Sequence, residues 1–386
     1  MFSLRANIGK LYVLSIAQSA LFHTPILVLY LTERGLTLTE FFLVQSAASL
    51  AVILLMVPAG YLADLWGRRN VTILSAIALI ASVLLLAYGT TFSQFFLSEI
   101  FRGIFRSLQF GAMNALTFDT LLALKQENRS RTVFGRQYAL QFCTLALASA
   151  VGGFLALYGL QVPVLATIPF MVLYLLVSLF LKEPPIRTAS ERINLKTLRS
   201  CMRQSDLWFL LLFQGVLGAL IFWLEFSSQT YLKAAGVSLL LFGGFYAIFQ
   251  IAMAGSSLLA TLASRRLSDS VLLLTTASLI LVSIVSLGFN GVYTGFIFLV
   301  IGVGSWGMLK TVVMDVLNRM TDSTTRATVI SLQLFTIHAL FAILGPFLGA
   351  MMEGGEIHRA FLIAGLGGTV CVALLWLPLS RSLGRK

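Results

Sequence analysis

Five ionisable side chains stand inside long apolar runs, where charge is expensive: His23, Arg102, Arg106, Glu225 and Lys310. A charge near the middle of a bilayer costs at least about 2–3 kcal/mol, so each is a functional candidate by default. The chemistry open to such a set is proton binding and charge recognition rather than bond making. Desolvation raises the pKa of a buried carboxyl and a nearby guanidinium lowers it. Glu225 is therefore the best placed group to take up and release a proton, with His23 second. Three bases against one deep acid suit an anionic, zwitterionic or amphipathic solute. The residues for catalysis are not assembled in sequence: His23, His338 and His358 are dispersed, and neither HExxH nor a paired-cysteine spacing occurs. No enzyme activity, cofactor or metal is expected. The absence of GxxxxGK[ST] argues against ATP hydrolysis by this chain.

A second constellation lies in a short turn, GYLADLWGRR, between two apolar runs. Gly60 and Gly67 suit a tight turn and close packing, Asp64 sits at the membrane face, and Arg68 and Arg69 can reach Asp119 at the end of a later run. A fainter echo follows in the second half, where Asp315 and Arg326 hold the places of Asp119 and Arg131. The bland alternative, a basic loop that only sets topology, explains the arginines but neither Asp64 nor the glycines.

The elements that must position these groups are membrane helices. Of the 386 residues, 58% are hydrophobic and 11% charged, against roughly 25% charged in soluble domains. A span needs about 20 apolar residues. Runs fall near 8–31, 40–63, 70–89, 93–122, 132–158, 161–181, 206–232, 239–263, 270–289, 292–318, 327–351 and 359–380. The expected fold is therefore an all-α polytopic membrane protein with twelve transmembrane helices in two six-helix halves, 1–181 and 206–386, joined by a polar linker at 182–205. The linker's prolines and alternating charges suit either a solvated connection or an amphipathic helix on anionic lipid. The first run is long enough to span and lacks a cleavage site, so it reads as a retained helix rather than a leader.

Lysine and arginine set the orientation. Twenty-one lie on the side holding the N-terminus, three on the other and three inside runs. That basic side is expected to be cytoplasmic, with both termini there and the chain in a cytoplasmic (inner) membrane. The net charge of +12 is spent on this asymmetry, so no nucleic acid is expected as a partner. Cys143 and Cys371, within apolar runs, are expected to be small buried hydrophobes.

Helix rise places the charges. Arg106 is equidistant from Ser93 and Asp119, near mid-membrane. Arg102, Glu225 and His23 lie about 12–15 Å inside the side opposite the basic one, and Lys310 about 14 Å from Arg319. At 100° per residue, Arg102, Arg106 and Gln109 share one stripe and Asp119 points away from it; Gln214, Gly218 and Glu225 share another, and Trp306 and Lys310 a third. Structural readings remain beside these: an Arg102–Glu225 ion pair, a hydrogen-bonded His23, a snorkelling Lys310. Glu99 reads as a solvated rim residue, and most aromatics as packing, with Trp223 and Trp306 set apart by their helices.

These features resemble the major facilitator superfamily. GYLADLWGRR matches its signature G-x-L-x-D-x-x-G-R-R/K at Gly60, Leu62, Asp64, Gly67, Arg68 and Arg69, between the second and third spans. RGIFRSLQFGAMNALTFDTL, at 102–121, is similar to a subgroup of efflux proteins. The resemblance implies a monomeric secondary transporter working by alternating access. The first, fourth, seventh and tenth helices would line its cavity, and the signature turn with Asp119 would form a gating cluster. It implies export of amphipathic, drug-like compounds as a proton antiporter. The other reading is uptake of an organic anion or metal chelate, or lysolipid transport. A membrane enzyme or scramblase is the competing class.

Overall fold

The computed structural model describes residues 4–185, 205–289, 291–321 and 323–383. Every regular element among them is helical. Twelve long helices follow in order. The first, α1, spans Ala6–Glu33 in two pieces, Ala6–Ser19 and Leu27–Glu33. Then come α2 (Leu38–Trp66), α3 (Arg68–Tyr88), α4 (Phe92–Ala123), α5 (Ser130–Leu155) and α6 (Gln161–Leu179). The second set is α7 (Ser205–Ala234), α8 (Leu239–Ala263), α9 (Asp269–Leu287), α10 (Val292–Met320), α11 (Ser323–Met351) and α12 (Ile357–Leu383). Eleven of the twelve expected runs are each one continuous helix, and the first is broken in two. The possible helix in the linker lies outside the described residues.

Eleven helices are long and apolar enough to cross a bilayer; α4 is the exception. It carries Glu99, Arg102, Arg106 and Asp119, the charges that lower its mean hydropathy. It starts with a capping box, in which Thr91 and Gln94 satisfy each other's backbone N–H groups.

The break in α1 was not expected. Ala20 leaves the helical region (φ −77°, ψ 62°), and a short 3₁₀ turn, Thr24–Ile26, carries Pro25. Proline has no N–H to continue the ladder and is tolerated at a helix start. The helix therefore stops, turns and restarts, with His23 at the restart.

The chain forms two compact units. One comprises Met1–Tyr30, Ala47–Arg192 and Leu239–Ala247; the other Leu31–Ser46, Ile193–Ser238 and Ile248–Lys386. The division differs from a single cut at 182–205, because the starts of α2 and α8 each belong with the opposite set of helices. Small residues explain both placements. In the first unit, a Cβ on Gly153 of α5 would lie 2.6 Å from the Gly243 nitrogen of α8, and one on Gly243 would lie 2.2 Å from the Ser149 carbonyl. In the second unit, a Cβ on Gly349 of α11 would lie 2.5 Å from the Phe42 ring of α2. SAVGG and GPFLG are thus two seats for visiting helix ends.

The first unit's core includes Leu11, Leu14, Ala76, Leu79, Val83, Leu116, Met171 and Tyr174. Cys143 and Cys371 depart from expectation: both are exposed on helix surfaces. Lipid is as apolar as a core, so a small sulfur-bearing side chain gains little from facing inward.

Candidate functional site

The charge cluster of the first unit starts from backbone geometry. Gly67, between α2 and α3, has φ +92°, a conformation that a side chain strains. The turn lets α3 start immediately and aims Arg68 inward. Arg68 is 1% exposed, its guanidinium 2.8 Å from the Asp119 carboxylate and 3.7 Å from Asp64. Arg69 does not join it: its guanidinium donates to the Leu179 carbonyl at the end of α6 (2.7 Å). A Cβ on Gly111 of α4 would lie 3.9 Å from the Gly60 Cα, so α2 and α4 run close here.

Sequence reasoning missed the group that completes the cluster. Glu183, just past α6, accepts hydrogen bonds from the Arg68 N–H (2.9 Å) and the Arg69 N–H (2.8 Å). These are orphan donors of the first turn of α3, and a carboxylate there also meets the positive end of the helix dipole. A Cβ on Gly67 would lie 3.1 Å from the same carboxylate. Asn7 of α1 exchanges hydrogen bonds with the Lys182 backbone next door (2.8 and 3.1 Å). The ends of α1, α2, α3, α4 and α6 thus meet around one buried arginine. The sequence signal was KEPP at 182–185, an acid directly after a span.

The counterpart in the second unit is built differently. Asp315 of α10 pairs with Arg319 (3.1 Å), which also pairs with Asp269 at the start of α9 (2.7 Å). The Arg319 and Asp315 side chains are more than half exposed, so this cluster sits in solvent. The side chain of Arg326 lies outside the described residues.

Along α4, Gly103 puts its Cα face on α2: a Cβ there would be 2.5 Å from the Ala48 carbonyl. That contact fixes the rotation of α4 and with it the stripe of Arg102, Arg106 and Gln109. Arg102 is paired with Glu99, one turn earlier. Glu99 is buried, at 2% exposure, and is not a rim residue: α4 begins at Phe92, and Ser98 beside it bonds to Ser82 of α3. Arg106 is exposed, although it stands mid-helix. In a bilayer such an arginine must meet water or a polar partner, because lipid would not tolerate it alone. Gln109 donates to the Met113 sulfur (3.2 Å).

His23 is buried at the break of α1, its Nδ1 3.2 Å from the Thr167 hydroxyl, which also accepts the Phe22 N–H. A Cβ on Gly152 of α5 would lie 1.9 Å from the Phe22 carbonyl, so only glycine admits the broken segment. Discontinuous membrane helices expose backbone groups where transporters bind solutes and ions.

In the second unit, Trp306 of α10 lies against Gly218 of α7, where a Cβ would be 3.1 Å from the indole. Gln214 accepts from Gln333 of α11 (2.7 Å) in a buried amide pair. Glu225 is partly exposed and Lys310 exposed. An aromatic cluster also escaped notice. Phe222 contacts Trp306, His338 and Phe341 with centroids at about 6 Å. Phe341 continues to Phe226 and Phe42. Trp223 is on the other face of α7, fully buried against Phe361, and is core.

The model of the Major Facilitator Superfamily matches residues 11–346. The chain also superposes on solved structures. The nucleoside transporter NupG aligns at a TM-score of 0.80 with 15% identity, over 100% of both chains. A bacterial homologue of the human lysosomal transporter Spinster, inward-facing and unoccupied, aligns at 0.76 with 14% identity, over 100% of this chain and 98% of that one. A D-xylose–proton symporter aligns at 0.74 with 14% identity, over 97% of each. Identities this low speak for the fold alone. No curated protein sequence matches the chain.

Proposed function

Because the chain belongs to the Major Facilitator Superfamily, we propose that it moves a small amphipathic solute carrying an anionic or zwitterionic group, by alternating access and coupled to protons. The observation that carries the reading is Arg106, exposed at the middle of α4, which among the twelve long helices described is the one too polar to cross a bilayer by composition. Within the first unit the residues assigned to solute are Arg102, Arg106, Gln109 and His23; within the second, the residues assigned to solute and proton are Gln214, Glu225, Trp306 and Lys310. The basic groups face the solute's charge, and the Phe222–Trp306 aromatics its apolar body. Glu225 is the proton carrier, and the Arg68–Asp119–Asp64 cluster holds one conformational state. The chain acts as a monomer in the cytoplasmic membrane, its basic side inward. Export is the direction implied by the resemblance. Uptake is the second reading, a direction that the same fold serves in a D-xylose–proton symporter.

The test uses purified protein in vesicles and a solute picked from amphipathic anions and zwitterions by thermal stabilisation. Glu225→Gln should abolish transport driven by a pH gradient and leave gradient-free exchange. Unchanged driven transport in that variant sinks the coupling role. Arg106→Gln should abolish both driven transport and exchange. Cells with extra copies should gain resistance if the chain exports and accumulate solute if it imports.

A further inference from the structure

A groove of about 480 Å³ opens on the surface of the second unit, between α9 and α12. Small residues, Ala277 and Ser278 on α9 and Thr369 and Ala373 on α12, line it together with leucines, Val370, Val372 and Trp376. Both walls lie at one depth. On α9 the lining begins at Leu274, five residues from the helix start at Asp269, and ends at Leu281. On α12 it runs from Thr369 to Leu377, which is four residues short of Arg381. At helix rise, both stretches occupy roughly 6–18 Å from the basic ends of these helices, about the hydrocarbon depth of one leaflet.

The rim is basic. Val370, Leu374, Leu377 and Arg381 follow i, i+4, i+7 and i+11 spacing, so the exposed Arg381 continues the groove's own stripe towards the headgroup level. Arg265 and Arg266, also exposed, stand four and three residues before Asp269 at the same end of α9. The acid at this rim, Asp269, is already paired with Arg319. None of these three arginines has an ion-pair partner among the described residues. An apolar slot one leaflet deep, with surplus positive charge at its mouth, has the chemistry of a phospholipid site.

We infer that a phospholipid with an anionic headgroup binds this groove, one acyl chain lying along Ala277, Ser278 and Ala373 and the headgroup held by Arg381 and Arg266. The site is separate from the residues assigned to solute and proton and stands whatever the solute is. Trp376 lines the groove and reports on its occupant, with its other side packed on Phe213 at 5.9 Å.

The experiment places full-length protein in phosphatidylcholine vesicles and titrates in brominated phosphatidylglycerol or brominated phosphatidylcholine. Trp376 quenching is read as the difference between each protein and its Trp376→Phe version. Half-quenching should come at a mole fraction about fivefold lower for the anionic lipid per contributing arginine. The preference should vanish in Arg266→Gln/Arg381→Gln. It should also vanish in Ala373→Leu, which fills the slot at an exposed position and keeps the charge. Coincident curves for the two lipids in the unaltered protein overturn the inference, since any lipid would then do. So does a preference that survives the arginine changes, or one that survives Ala373→Leu, which would be attraction to the surface alone. Trp376 left unquenched by both lipids overturns it too, because another occupant, such as a second copy, would then cover the groove.

Discussion

Replacing Asp119 by asparagine should be the most damaging single change among the acids of the two charge clusters. Arg68 and Asp119 meet at 2.8 Å with side chains 2% and 0% exposed. Removing one partner of a buried pair costs about 3–5 kcal/mol, most of it for the charge left behind. Asp64 stays 3.7 Å from the guanidinium and is partly exposed, so it offsets some of this, leaving a loss of about 2–4 kcal/mol. Asp315→Asn removes a similar contact, at 3.1 Å, from a pair more than half exposed, where screening keeps the loss within about 1 kcal/mol. Arg68→Met with Asp119→Leu removes both charges and should cost less than Asp119→Asn alone. Unfolding midpoints of the detergent-purified variants give the order. Asp119→Asn melting no lower than Asp315→Asn would refute the reasoning. A double variant as unstable as the single one would place the loss in packing rather than in an unpaired charge.

Three further outcomes follow from the geometry. Gly152→Ala should collapse folded yield or transport, because its Cβ would meet the Phe22 carbonyl at 1.9 Å, whereas Gly135→Ala on the same helix has open space and should be silent; membrane yield and a transport assay separate them. Glu183→Ala removes the acceptor of two α3 N–H groups and should cost about 1–2 kcal/mol, with Glu183→Gln losing less, read by thermal melts. Glu353 is held below its usual pKa of 4.5 by the Thr39 hydroxyl, then by the Thr39 N–H, with a further contribution from the Thr37 hydroxyl. A depressed carboxyl stabilises the fold above its unfolded pKa and loses that contribution as pH falls through the folded value. The small stability gap between the protein and Glu353→Gln should thus be full above about pH 4.5 and close below it, in melts across pH.

The helices were legible because lipid leaves a chain few choices: a run of about 20 apolar residues must be helical. The signature turn was legible because Gly67, Asp64 and Arg68 carry a backbone requirement and a charge pattern in ten residues. Glu183 was not, since its role depends on α6 ending beside the start of α3, over 100 residues away in sequence. Glu99 was misplaced because three residues of helix position separate a rim from a packed face. The break in α1 was written in Thr24-Pro25, but hydropathy averages over such a step. The aromatic cluster around Phe222 draws on α2, α7, α10 and α11, and periodicity within any one helix is blind to it.

The visiting start of α2 carries a consequence for synthesis. Thr39 meets Glu353 across 314 positions, so at about 5–20 residues per second the ribosome delivers the partner roughly 15–60 s after Thr39 itself. Until Phe226 emerges Phe41 and Phe42 lack even the aromatic partner they share on α7, and until GPFLG follows their seat is incomplete, so lipid or the insertion machinery must shelter them. The start of α8 meets no such delay, because SAVGG on α5 is already made when it emerges. Two fragments separated in the linker would each lack a seat that only the other encodes. Neither half of the gene specifies a finished folding unit, and assembly is complete only when GPFLG has been inserted.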